Sequence, residues 1–171
     1  MNITNKKKGF TLLELLVVVS IIALLSVVVI AALNTAKAKG ADSAVKADMA
    51  NLKTQIELYL ADKGSYASSN HSENYCSTVA ANNIIADPII QQVLNYANKA
   101  TGGSIVSNQY RSTKCAAASL SYAIAIALKT NDTDTWCMDS TGTVKQTGTP
   151  ITSGSVILGN GSGASPYTCG V

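Results

Sequence analysis

Residues 10–33 constrain this chain more than any other stretch. They are 24 consecutive positions with one charge among them, Glu14, and they follow directly on Lys6, Lys7, Lys8 and Gly9. As an α-helix rising about 1.5 Å per residue, the run extends about 36 Å, enough to cross a hydrocarbon core with some tilt. In lipid the backbone must satisfy its own polar groups, which leaves a helix or a closed barrel, and this run lacks the alternation of a barrel strand. A membrane helix is therefore expected. The lysines before it belong on the cytoplasmic side, which puts the remainder of the chain outside the membrane.

Glu14 needs a reason to be there. A carboxylate at the centre of a spanning helix costs about 2.5–3.5 kcal/mol, and somewhat less near the interface. It is either an interfacial acid near the positive end of the helix dipole or a charge awaiting a cationic partner. The run Lys8-Gly9-Phe10-Thr11-Leu12-Leu13-Glu14 resembles the class III signal peptide of type IV pilins and their relatives, the pseudopilins. The resemblance covers about the first quarter of the chain and favours the second explanation. It implies leader cleavage by a prepilin peptidase between Gly9 and Phe10, and N-methylation of the new terminus, Phe10. It also implies a salt bridge in which Glu14 neutralises the amine of Phe10 on a neighbouring subunit during assembly. Many members of that family carry a proline in the apolar run, where this chain has Ala31.

Other amino-terminal signals fit less well. An ordinary secretory signal has an apolar stretch of roughly 7–15 residues before a small-x-small cleavage site. Ala36-Lys37-Ala38 has that form, but the run before it is too long and carries an acid near its start. No cysteine lies near the run to take a lipid anchor. A permanent single-pass anchor matches the hydropathy equally well, and only the Gly9-Phe10…Glu14 arrangement argues against it.

Past the apolar run the helix is expected to continue to about residue 62, now amphipathic. Ala38, Ala41, Val45, Met49, Leu52, Ile56 and Tyr59 recur at spacings of three and four and mark one face. Lys39, Asp42, Lys46, Asp48, Lys53 and Glu57 are assigned to the other, with Asp42 and Lys46 spaced for an i,i+4 pair. Gly40 is a weak point, costing about 1 kcal/mol relative to alanine. Gly64 supplies a left-handed cap.

The organisation that follows has three parts: a basic leader, 1–9, that is removed; a long helix, 10–62; and a globular head, 63–171. Within the head, 67–83 is polar, rich in Ser and Asn, and reads as a loop pinned by Cys76. Asp87 and Pro88 form a helix start, with Ile89, Ile90, Val93, Leu94 and Ala97 as its apolar face and Gly102-Gly103 as its stop. Residues 121–129 alternate Tyr122, Ile124, Ile126 and Leu128 with alanines, a period-two pattern that favours a strand with its large face on the long helix. A turn at 131–134 leads to strands at 135–139 and 144–147, with a further strand at 155–158. Residues 159–164 are a flexible approach to Cys169. The stretch from Tyr122 to Gly142 also resembles the strand pair in the heads of some bacterial pilins, less specifically than the leader does. The fold class expected is α+β: a long amino-terminal helix packed on a small antiparallel sheet, pilin-like.

Cys76, Cys115, Cys137 and Cys169 all lie in the exported part and form no close pair. In an oxidising compartment they read as two disulfides. Zinc would want paired close spacings and histidine, and His71 is the only histidine. In the expected hairpin, Cys137 falls opposite residues 126–129 rather than opposite Cys115. A Cys115–Cys137 bond is disfavoured, since α-carbons beyond about 7 Å cannot be joined without moving the backbone. The pairing adopted is Cys76–Cys115 with Cys137–Cys169, and Cys76–Cys137 with Cys115–Cys169 stays open.

Catalytic equipment is sparse. There is no HExxH or P-loop, and the glycine-rich run at 159–163 lacks a following helix to cradle phosphate. Asn131, Asp132 and Asp134 offer oxygen ligands, but no bidentate glutamate follows, which favours a solvated turn over calcium. Asn70, Asn131 and Asn160 begin Asn-x-Ser/Thr triplets. The net charge of +3 comes from the three leader lysines. Without them 10 bases balance 10 acids, and such a chain does not advertise nucleic acid as a partner.

The expected function is a structural subunit, a pilin, of an extracellular type IV pilus-like filament. Its precursor is held in the cytoplasmic membrane, cut by a prepilin peptidase and polymerised through the amino-terminal helix by a separate assembly machinery. No enzyme activity, cofactor or metal is expected. A pseudopilin of a type II secretion or DNA-uptake apparatus is the first alternative, and a single-pass anchored binding domain the second.

Overall fold

The computed structural model describes residues 9–76, 82–103, 113–131, 133–149, 157–159 and 166–170, with side chains at 71–75 and 158 left aside. The leader up to Lys8, Asp132, and most of the glycine-rich approach to Cys169 lie outside the described residues. The fold is α+β. Helix α1, Leu12–Lys63, is a single 52-residue element, continuous through Ala31. It runs through two compact units, Met1–Lys37 and Ala38–Val171.

In the first unit every described side chain is exposed. The hydroxyls within the apolar run satisfy themselves on the preceding turn, Ser20 donating to the Leu16 carbonyl and Ser26 to that of Ile22, each at 2.7 Å. That removes the polar groups that would otherwise oppose lipid.

The second unit has its own core. Antiparallel strands β1 (His71–Tyr75), β2 (Lys114–Ala117), β3 (Tyr122–Ala127), β4 (Thr135–Asp139) and β5 (Val144–Thr147) form one sheet in chain order. A two-stranded ladder joins β6 (Ile157–Leu158) to β7 (Thr168–Cys169). Helix α2, Pro88–Thr101, begins with Asp87, whose side chain accepts from the Ile89 and Ile90 amides, and ends at left-handed Gly102. Gly64, with φ near 73°, closes α1 by donating to the Leu60 carbonyl.

The alternation in β3 sorts the head into two layers. Tyr122, Ile124 and Ile126 pack with Val45, Met49, Leu52 and Ile56 of α1 and with Ile90 and Leu94 of α2. The alanines between them, Ala123, Ala125 and Ala127, face the other way, among Cys137, Ile157, Tyr167 and Cys169. Both faces of β3 are therefore buried. Alanine keeps the second face low enough for the β6–β7 ladder to lie on it.

Four expectations need correcting. Residues 71–75, read as part of a polar loop, form edge strand β1, whose pairing with β2 is a matter of backbone bonds that composition does not record. Ile89, assigned to the apolar face of α2, is exposed, and the face rests on Ile90, Leu94 and Ala97. Cys137 stands opposite Ala125 rather than a residue of 126–129, because the turn is centred closer to Asn131 than to Asp132. Asp42 does not pair with Lys46. It is three residues before Val45, so helical spacing puts it on the buried face, where its carboxylate accepts the Lys129 and Thr130 amides at 2.5 and 3.0 Å. Lys46 instead lies 4.6 Å over the Trp136 ring and donates to Gln146 Oε1.

Candidate functional site

The residues singled out at the amino terminus lie together. Gly9 and Phe10 are exposed and precede the helix, Phe10 with 78% of its surface open. Nothing lies within 4 Å of where a Cβ on Gly9 would sit. The junction is thus a glycine followed by an exposed aromatic, ahead of the first helical residue.

Thr11 then caps α1. Its carbonyl accepts the first helical bond, from Leu15 N at 3.3 Å. Its hydroxyl accepts from the Glu14 amide at 3.2 Å, while Glu14 Oε2 accepts from the Thr11 amide at 2.9 Å and from the Thr11 hydroxyl at 2.8 Å. This is a reciprocal capping box, Ser/Thr-x-x-Glu, that satisfies two amides which the helix cannot bond itself. The role of Thr11 escaped the sequence reading, although the signal was there: threonine three residues before glutamate at the head of an apolar run. Glu14 accordingly has a partner within its own chain. Among the described residues its bonds fall on Oε2, which leaves Oε1 for a second donor.

Beyond this cap the helix presents only apolar surface and self-satisfied hydroxyls as far as Leu33, and by length and composition it can span a membrane. The other sequence-predicted residues lie in the second unit. The structure joins Cys76 to Cys115, with α-carbons 5.1 Å apart, and Cys137 to Cys169 at 5.8 Å. The two bonds occupy opposite faces of the sheet, Cys115 beside Ile124 and Cys137 beside Ala125. Among the described residues, no group of three or more His, Cys, Asp and Glu side chains is placed to hold a metal ion.

Burial raises the Tyr122 hydroxyl above its ordinary value near 10, helped by the charges of Glu57 and Asp139. Tyr66, whose ring meets that of Tyr122 edge-on at 4.9 Å, is raised chiefly by burial and further by Glu57. These are packing groups of the head, remote in role from the helix cap.

An exposed Gly9-Phe10 junction, a capping glutamate at position 14 and an apolar helix long enough to span a membrane are the features the amino terminus brings together. Comparison with known proteins agrees. Residues 4–30 match the family described as the prokaryotic N-terminal methylation motif. The chain is also 43% identical over 61 residues to the major component of the type IV wide pilus of Thermus thermophilus. That alignment covers 36% of this chain and 47% of the relative, so the chain spans about half the length of the protein it matches. No solved structure matches the chain. The motif and the relative together support the type IV pilin family, whose members are structural subunits.

Proposed function

We propose that this chain is a structural subunit of an extracellular type IV pilus-like filament. It would be inserted in the cytoplasmic membrane as a precursor, cut between Gly9 and Phe10, methylated on Phe10 and polymerised through α1. The observation that carries this reading is the division of the molecule. Residues 38–170 contain a buried core with α1 and α2 on one face of the sheet and the β6–β7 ladder on the other. Residues 10–33 bury nothing of their own. So much apolar helix needs cover, first from lipid and then from the same helix of other copies.

Glu14 fits both stages. In the precursor its carboxylate is engaged by Thr11, which lessens the penalty of an acid near lipid. In the filament its second oxygen would meet the amine of a neighbour's Phe10. The prepilin peptidase and the assembly machinery are partners of this route, and no nucleic acid contact by the single subunit is proposed.

The deciding experiment is to purify surface filaments and identify their main subunit by mass spectrometry. Filaments built of this chain establish the reading. Short polymers confined to the envelope would assign the chain to a secretion or DNA-uptake pseudopilus instead. A chain retaining Met1 and remaining monomeric in the membrane would refute both.

A further inference from the structure

Asp139 is a buried acid of the sheet. It ends β4 with 1% of its surface exposed. Its Oδ1 accepts from Thr141 N at 2.9 Å, from Thr141 Oγ1 at 2.6 Å and from Thr143 N at 3.3 Å, which organises the turn between β4 and β5. That task needs one oxygen. The other, Oδ2, accepts the Cys169 amide at 2.8 Å, from a residue 30 positions away.

Cys169 is also the residue bonded to Cys137. Cys137 and Asp139 are two apart on β4 and opposite Ala125 and Ala123 respectively, so both point to the alanine face. One residue of the tail is thus held at two adjacent points of one strand, its sulfur by Cys137 and its amide by Asp139. A further tie runs from the Tyr167 amide to Ser121 Oγ at 3.2 Å.

We infer that Asp139 is a positioning residue for the Cys137–Cys169 bond: its carboxylate docks the carboxyl-terminal tail on the alanine face and brings the two thiols together whether or not the bond exists. Closing the bond joins the two sulfurs, releases two protons and passes two electrons to an external disulfide oxidant, which becomes two thiols. How readily this happens depends on the effective concentration of the two thiols, which a tail already docked raises. A buried amide–carboxylate bond is charge-assisted and strong, so the dock should outlast reduction. Cys76–Cys115, on the opposite face, has no bond to Asp139 and should not sense it.

The test uses the full chain in detergent micelles, equilibrated with mixtures of reduced and oxidised glutathione, then alkylated and mapped by peptide mass spectrometry. Asp139→Asn preserves shape and one acceptor for the turn. It should weaken formation of the Cys137–Cys169 bond by about tenfold or more, equivalent to about 30 mV in the two-electron couple, and leave Cys76–Cys115 unmoved. Thr141→Val, which removes a donor on the turn side only, should shift neither. An equal shift of both bonds, or none, would overturn the inference. So would native maps lacking a Cys137–Cys169 peptide. A second measurement does not depend on that variant folding. In a chain carrying Cys137→Ser and Cys169→Ser with Asp139 intact, the amide of residue 169 should stay protected from hydrogen exchange. Free exchange there would refute the docking.

Discussion

Replacing Asp42 by alanine should loosen the head at the contact between α1 and the bend after β3. Asp42 is only 8% exposed and no cation among the described residues forms an ion pair with it; its two oxygens take the Lys129 and Thr130 amides. Hydrogen bonds to a charged group contribute about 1.5–3 kcal/mol each. Because the two share one carboxylate they do not add in full, and a loss of about 2–4 kcal/mol follows for the pair. For a domain of this size that lowers the melting temperature by about 10–20 °C. Asp42→Asn, which keeps one acceptor, should lose about half as much. Asp48→Ala, half-buried on the same helix, should stay within about 0.5 kcal/mol of the parent. Thermal unfolding of the full chain in detergent, followed by Trp136 fluorescence and near-ultraviolet dichroism, reads the head rather than the micelle-bound helix. An Asp42→Ala chain melting within about 2 °C of the parent would refute the argument that this carboxylate clamps the bend.

Processing should yield a mature chain starting at methylated Phe10, read by intact mass, and Gly9→Val should leave full-length precursor in the membrane. Glu14→Val should insert and be cut normally but form no filaments, seen by electron microscopy, whereas Thr11→Ala should cost about 1 kcal/mol at the helix terminus and still assemble; failure of both alike would show that the cap, rather than an intersubunit salt bridge, is what filaments need. Tyr122 carries a buried hydroxyl without a hydrogen-bond partner among the described residues, and its raised pKa means the folded chain holds that proton more tightly than the unfolded one. Its contribution to stability is complete below about pH 10 and is lost as pH rises above that value. Tyr122→Phe should be neutral or slightly stabilising at pH 7 and should flatten the alkaline loss, measured by denaturant unfolding at stepped pH.

Much of this was legible in the chain because the governing signals are local. The apolar run, the Asp87-Pro88 start, the Gly64 and Gly102 stops and the alternation in β3 each lie within a few residues, and each corresponds to an element in the structure. What escaped was long-range. Strand β1 is polar and short, and its existence depends on pairing with β2 about 40 residues later, a partner no window of composition contains. Asp42 was misassigned for a related reason. Its spacing with Val45, Met49 and Leu52 placed it on the buried face, but its charge suggested the solvent side, and the amides that resolve the conflict come from 87 and 88 residues away. Where spacing and polarity disagree, a buried acid with backbone donors is the reading that satisfies both.

The small residues of β3 carry the same lesson to the tail. Alternating isoleucine and alanine announces a strand with one large face, and in isolation it suggests that the small face is open to solvent. It is not. Ala123, Ala125 and Ala127 are buried beneath Ile157, Tyr167 and Cys169, so the small side chains mark where a second layer comes close. That layer is too small to hold itself: β6 and β7 are two strands of two residues each, whereas three or more strands are needed for a sheet to be independently stable. It is tied down because β4 supplies a disulfide sulfur and a carboxylate on one face, and because Ser121 takes a further amide. The head is therefore closed on both sides by contacts made through α1, α2 and its own tail, while residues 10–33 remain without cover. A chain so built holds its head together by its own contacts, and on the proposed reading polymerisation is left to the helix.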